Sequence, residues 1–389
     1  MRTIRPHHQE QNPRQGNALV MASAAMVMLF GFTALTVDVG YITLTKAELQ
    51  KTADAAAMAA TIELYDGWGT GATITQAQAE TAARNAAVAV AAANRAGGLA
   101  SAYIDPQRDV RFGNAQWDPN TSTWIENWGV QPYNLVEVIV RRDQPGSTLG
   151  DRPLSLFFAP LIGTDSSNLS AVGIAGIKPG VGVKKIPGVN VGVLPIALDV
   201  QSWDAMIASN TYTDNYAYNT NSKTVSSGHD GVREINIYPT GSANLPPGNR
   251  GTVDFGNNNN STADISRQIR YGLNEADLEL LGGQLRFEML PMSINGDTGI
   301  SAGIKDDLNA IKGQPRLMPL FSQVSGPGNN AYYTIVRFVP IRIVYVNLTG
   351  KPASKVVIVQ PAPYTDPTVI AGETEIKSDS LLAPVILLH

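Results

Sequence analysis

The stretch QGNALVMASAAMVMLFGFTALTV, Gln15 to Val37, contains no charged residue; Arg14 stands just before it and Asp38 just after it. A hydrocarbon core about 30 Å thick is crossed by roughly 20 apolar residues in a helix that rises about 1.5 Å per residue. Ala18 to Val37 supplies that length, and no later segment does. The closing segment Leu381 to Leu388 is too short to span, and Pro384 within it suits a final strand. The chain therefore reads as one transmembrane helix over 16–40 that carries a large folded body.

Charge sets the expected orientation. Arg2, Arg5 and Arg14 oppose only Glu10 before the apolar run, whereas Asp38, Lys46, Glu48 and Lys51 are balanced after it. By the positive-inside rule the tail 1–15 stays cytoplasmic. The body then lies on the far side of the inner (cytoplasmic) membrane, periplasmic or extracellular. A cleaved signal peptide has an apolar region of about 7–15 residues followed by a small-residue cleavage site. This run is longer, and Ala22-Ser23-Ala24 falls inside it, so a retained single-pass anchor is expected.

Composition narrows the function classes. With 389 residues, 43% hydrophobic and 16% charged, the chain can bury a sizeable core. A net charge of -4 with scattered basic residues gives no field for phosphate contacts, so no nucleic-acid partner is expected. The absence of cysteine removes disulfides, thiol catalysis and thiolate metal sites. Of the histidines, His7 and His8 lie in the tail and His389 ends the chain, which leaves His229 alone in the body. No zinc cluster can be drawn, and neither cofactor nor metal is expected.

Beyond Asp38 the helical pattern continues through Leu49, Ala53, Ala56, Ala60 and Leu64 to the stop at Gly67 and Gly69. A second alanine-rich helix is predicted from Thr75 to Ala96, ended by Gly97-Gly98. Such small-residue stripes let another helix approach closely. Strands are predicted over Val110 to Trp117, Trp124 to Trp128 and Leu135 to Arg142, then a short apolar helix from Pro153 to Leu161 and a strand from Leu169 to Ile177. Lys178 to Pro195 reads as a glycine-rich linker or edge strand, so a boundary is placed near residue 185. Two units follow, 41–185 and a β-rich 186–389. In the second, strands are expected over 234–238, 251–255, 284–292, 316–324, 331–348 and 355–360, with helices over 263–271 and 299–311. Pro340 is expected to mark a bulge or an edge. The fold class is α+β: a single N-terminal transmembrane helix followed by a mixed α/β extracytoplasmic body.

Several motifs invite chemistry. Gly299-Ile300-Ser301-Ala302-Gly303 matches the nucleophile-elbow pattern, but Asn295 to Thr298 separate the serine from the preceding strand, and the only later histidine is His389. A glycine-flanked helix start explains the match better. Asp254, Asn257 to Asn260 and Asp264 could offer oxygen ligands to a hard cation, yet their spacing fits no EF-hand and suits an Asx-rich turn. Asp165-Ser166-Ser167-Asn168 breaks the Asp-x-Ser-x-Ser pattern of a metal-dependent adhesion site at its last serine. Trp117, Trp124 and Trp128 offer a glycan- or partner-binding face, or else cross-strand packing, which is the default. Asp38 either marks the end of the span or pairs with a partner helix.

Arg14-Gln15-Gly16-Asn17-Ala18, the apolar run, Val37-Asp38-Val39-Gly40-Tyr41 and the segment Leu49 to Ala60, LQKTADAAAMAA, resemble the N-terminal segment of TadG-like (TadE/TadG-type) proteins of Tad, or Flp, pilus-assembly systems. A looser similarity extends through Pro153 to Phe158 and Gly296 to Ile300. The resemblance implies a membrane-tethered, non-catalytic component of pilus assembly. Its partners would be the bilayer and other pilus-assembly membrane proteins. Gly16, Asp38, Gln50, Ala53, Asp54, Ala56 and Ala57 would serve anchoring and partner packing. Related pseudopilins are cut after a glycine and carry a glutamate five residues into the mature helix. Met21 occupies that place here, which argues against cleavage after Gly16. The alternatives are a surface adhesin or ligand-binding protein on the same type of anchor, and a serine hydrolase using Ser301.

Overall fold

The computed structural model describes residues 14–238, 250–256, 261–351 and 354–388. Most of the basic tail and the loop Asn257 to Asn260 therefore lie outside the described residues. One helix, α1, runs unbroken over Arg14–Ile62. Its apolar part hides its own hydroxyls: Ser23, Thr33 and Thr36 each donate to the carbonyl four residues back, at 2.8 to 2.9 Å. Outward, that part offers side chains whose polar atoms are already paired, the condition for contact with hydrocarbon. It is long and apolar enough to cross a membrane, and no residue from Ala18 to Val37 is buried in the protein.

Burial begins at Asp38, resumes at Thr45 and then recurs at helical spacing, at Leu49, Ala53, Ala56, Ala57, Ala60 and Leu64. This is the stripe of an amphipathic helix lying on a body. Helix α2, Gln76–Ala92, buries Ala79, Ala83, Ala87 and Ala91, a narrower stripe at intervals of four. It ends at Ala92, four residues short of the expected end at Ala96, so Gly97 and Gly98, both with positive φ, lie in the turn beyond it and not at its cap.

The chain divides into two compact units. The first comprises residues 1–53, 90–104 and 139–172; the second comprises 54–89, 105–138 and 173–389. In the first, the two-residue strands Leu154–Ser155 and Ser166–Ser167 pair and bracket a 3-10 turn at Ala159–Ile162. A helix was expected from Pro153 to Leu161. Pro160 has no N–H to continue one, and Gly163 closes the turn with φ 87°.

Strands β1 (Val110–Asp118), β2 (Thr123–Trp128), β3 (Leu135–Arg142) and β4 (Leu169–Gly176) lie in a five-stranded sheet ordered Ile386–Leu387, β4, β3, β1, β2. The predicted closing strand is thus the short edge of this sheet. Trp117 and Trp124 face each other across β1 and β2 with ring centroids 5.5 Å apart, the cross-strand pair that was the default reading.

The second unit also holds a seven-stranded sheet. Five of its strands close on one another: Ala331–Asn347 pairs with both Met292–Asp297 and Pro315–Ser325, and the circuit is completed through Arg250–Val253 and Ile196–Asp199. Apolar residues fill both faces. One cluster holds Trp203, Ile265 and Leu308 from three helices; the other holds Phe255, Tyr333 and Phe338.

Pro340 sits inside the long strand, paired with Leu317, and not at an edge or bulge. On its other side the partner strand changes, from one ending at Ile335 to one beginning at Ile341, so no ladder bond needs the missing N–H. The glycine-rich segment is neither linker nor edge: Gly180–Lys184 is the middle of a three-stranded sheet. A Cβ on Gly182 would meet Leu285 O at 2.5 Å, which explains why glycine is needed where the strands close up. The predicted strand over 284–292 is split by a 3-10 turn at Phe287–Met289, ahead of Pro291. The predicted helix over 299–311 is reduced to a 3-10 turn, Ala302–Ile304, and a short helix, Lys305–Ala310, because Gly299 and Gly303 weaken its start.

Two buried phenols carry a pH prediction. The Tyr65 hydroxyl donates to Ala383 O at 2.6 Å, and burial pushes its pKa up to about 12; burial does the same for Tyr333. Unfolded tyrosine titrates near pH 10, so between about pH 10 and 12 the unfolded chain sheds protons that the native fold retains. The stabilisation is fully present below pH 10 and is lost as pH rises through that window. Denaturant midpoints measured across pH 9 to 12 should fall, with a shallower fall in Tyr65→Phe; an unchanged slope in the variant would refute the assignment.

Candidate anchor and interaction site

The first unit gathers most of the polar residues of the α1 stripe into one construction. Asp38 is 4% exposed, and its carboxylate accepts three backbone N–H groups, from Phe157 at 2.8 Å, Phe158 at 2.9 Å and Ala159 at 2.6 Å. These are the donors a turn leaves free at its start, and a carboxylate is their best acceptor. Tyr41, one turn further along α1, packs its ring on Phe157 with centroids 5.0 Å apart. The hydrogen-bond partners of Asp38 thus lie in its own chain.

Further along, Lys46 donates to Ser170 O, and Gln50 Nε2 donates to Val172 O at 2.7 Å. Glu48 accepts the Gly97 N–H at 2.7 Å. Gly97 must be glycine, since its φ is 50° and a Cβ would lie 2.5 Å from Thr45. Arg142, 3% exposed, donates to Arg152 O at 2.7 Å and to Gly97 O at 3.0 Å, so a buried cation is satisfied by carbonyls. Burial lowers its pKa. Helix α1 is therefore held to the first unit from Asp38 to Gln50.

Of the residues expected to serve anchoring and partner packing, the structure brings Asp38 and Gln50 into this construction. Ala53, Ala56 and Ala57 are fully buried, Asp54 is half-buried, and Gly16 lies in the first turn of α1. Glu48, Arg142 and the turn after Phe157 were not singled out from the sequence. Their roles depend on partners about 50 to 120 positions away, and only the apolar run Leu156 to Ile162 hinted at a special segment.

On the side of Asp38 away from the body, Phe158, Ala159, Leu161 and Ile162 face Met28, Phe32 and Leu35 of α1 across an open apolar groove of about 360 Å³.

Two family models match the chain end to end over this part. Residues 16–61 match the one described as Flp pilus-assembly TadE/G-like, and residues 59–175 match the one described as Tad-like Flp pilus-assembly. Residues 16–61 thus resemble a TadE/G-like segment. No curated protein and no solved structure matches the chain. The TadE/G-like match covers α1, apolar run and alanine stripe together, and the Tad-like match covers the turn that Asp38 holds.

The other chemical candidates resolve differently. Ser301 caps the 3-10 turn, its Oγ accepting the Gly303 N–H at 3.2 Å, as a capping side chain does. Asp254 and Asp264 both accept from Gln268 Nε2, at 3.2 and 3.3 Å, and Asp264 also pairs with Arg267. Among the described residues no group of acidic or histidine side chains is arranged to hold a metal ion. In the second unit, Trp68, Asn114, Gln116, Trp117 and Arg233 line an open cleft of about 1150 Å³.

Proposed function

We propose that the protein is a membrane-anchored, non-catalytic structural component of a Tad (Flp) pilus-assembly system. In this reading α1 crosses the inner membrane once with its N-terminus in the cytoplasm, and the body stands on the other side. The observation that carries it is the continuity of α1: an apolar surface with nothing packed over it passes without a break into a stripe buried in the body, and the TadE/G-like match spans both parts. A helix fixed at Asp38, Lys46 and Gln50 transmits position from bilayer to body, as a tether or assembly scaffold must. Gly16 and the uncovered face of the apolar run would meet lipid or the helices of other pilus-assembly membrane proteins. Ala53, Ala56 and Ala57, with Asp54 beside them, would set how closely α1 packs.

The test is affinity capture of the tagged chain from detergent-solubilised inner membranes. Co-capture of other pilus components is the expected result; their absence, with the protein accessible to antibody on intact cells, would favour the adhesin. That second reading draws support from the cleft beside Trp117, whose lining residues Trp68 and Asn114 hold a buried indole Nε1 and a buried Oδ1 without hydrogen-bond partners.

A further inference from the structure

The turn that Asp38 holds is apolar beyond what a water-facing loop needs. Phe157 is 63% exposed, Phe158 42%, Leu161 85% and Ile162 73%, and the turn extends toward the apolar run. The α1 residues across the groove, Met28 to Leu35, lie three to ten positions before Asp38, about 5 to 15 Å along the axis at 1.5 Å per residue. We propose that the turn 157–162 is a second membrane-inserted element, which dips into the outer half of the same bilayer that α1 crosses and takes lipid acyl chains as its partner.

Two independent features favour lipid over water or a protein cover. The exposed side chains are continuous with the uncovered surface of α1, so whatever covers Met28 to Leu35 covers the turn as well. The backbone is also prepared for a medium without water. Non-helical backbone survives at membrane depth only where its polar groups are satisfied by the protein. The N–H groups of Phe157, Phe158 and Ala159 go to Asp38, that of Leu156 to Asp165 O, that of Leu161 to Phe158 O and that of Thr164 to Ala159 O, while Pro160 has none. Asp38 accordingly has a purpose at this depth: it neutralises the donors that would make insertion costly, and they in turn satisfy its charge. A turn inserted beside a spanning helix would give the first unit a second point of attachment to the bilayer and so restrain its tilt against the membrane plane, which one helix alone leaves free.

The proposal rests on the anchor reading of α1, and one experiment separates the two. Because the chain has no cysteine, Leu161→Cys, Leu29→Cys and Ser222→Cys each give a unique site for an environment-sensitive nitrobenzoxadiazole probe. Leu161 and Ser222 are exposed, so neither change disturbs packing. The full chain is reconstituted in phosphatidylcholine and phosphatidylglycerol vesicles that carry doxyl groups either near the headgroup or near the chain end. At Leu161→Cys we expect a blue-shifted emission and about twofold quenching, stronger from the shallow doxyl, with Ser222→Cys unaffected. Quenching at Leu29→Cys without quenching at Leu161→Cys overturns the inserted turn and leaves the anchor standing. A blue shift at Leu161→Cys without quenching assigns the turn to a second copy of the chain and also overturns it. Loss of quenching at Leu29→Cys removes the anchor, and the inserted turn with it.

Discussion

Asp38→Ala is expected to release the turn at residues 157 to 159 and to loosen the first unit more than any other single change on the α1 stripe. The substitution leaves three N–H groups without an acceptor in a site that is almost closed to water. A buried donor that loses its partner costs about 1–3 kcal/mol. Some of the three would recover water as the turn opens, so the total should be about 3–5 kcal/mol, confined to this unit. Expressed as amide exchange, at about 1.36 kcal/mol per tenfold, that is about 150- to 5000-fold faster exchange at Phe157, Phe158 and Ala159, while the amides of Ile341 and Ile343 keep their protection. Asp38→Asn should fall between the two, because its carboxamide oxygen still accepts whereas its amino group faces donors. Unchanged exchange at these three amides in Asp38→Ala would show that the carboxylate does not hold the turn. The same change removes the only charge between Arg14 and Lys46, so proteolytic mapping of the membrane-protected fragment should show the protected length of α1 extending toward Lys46.

The second large effect is expected within the alanine stripe, where two identical residues close in sequence should respond differently. Ala57 is fully buried, and Ala55, two positions earlier on the same helix, is exposed. Leucine at position 57 adds three carbon atoms where there is no space, and overpacking of this kind costs about 1–3 kcal/mol, sometimes more. Ala55→Leu keeps helix propensity nearly constant and adds volume into open space, so it should change stability by less than about 0.5 kcal/mol. Thermal unfolding of the two variants compares them directly. Equal destabilisation would mean that α1 lies in a different rotational setting. If Ala55→Leu is stable yet loses co-capture of pilus components, the exposed face of the stripe is the one a partner covers.

The helices were legible because their signals are local. Charge-free length set the apolar half of α1, and three-to-four spacing of alanine set the rest, whereas α2 ends at Ala92, before the paired glycines that were expected to stop it. The strands β1 to β4 were legible for the same reason, since alternation and an Asp-Pro-Asn turn lie within a few residues of one another. Legibility failed where the decisive partner was distant in sequence. Pro340 reads as a strand breaker in isolation, and only the exchange of neighbouring strands at Ile335 and Ile341 makes it harmless. Gly180 and Gly182 read as a linker until two other strands are seen to close on them.

Asp38 divides the two kinds of information. The sequence by itself determined that an uncharged run ends there and that the helix continues beyond it, because hydropathy and helical period are properties of neighbouring residues. Only the tertiary structure decided what the carboxylate is for, since its three donors lie 119 to 121 positions away. Such a site is specified by how the chain returns to α1, and a hydrogen bond at 2.6 to 2.9 Å has no periodic trace in the order of the residues.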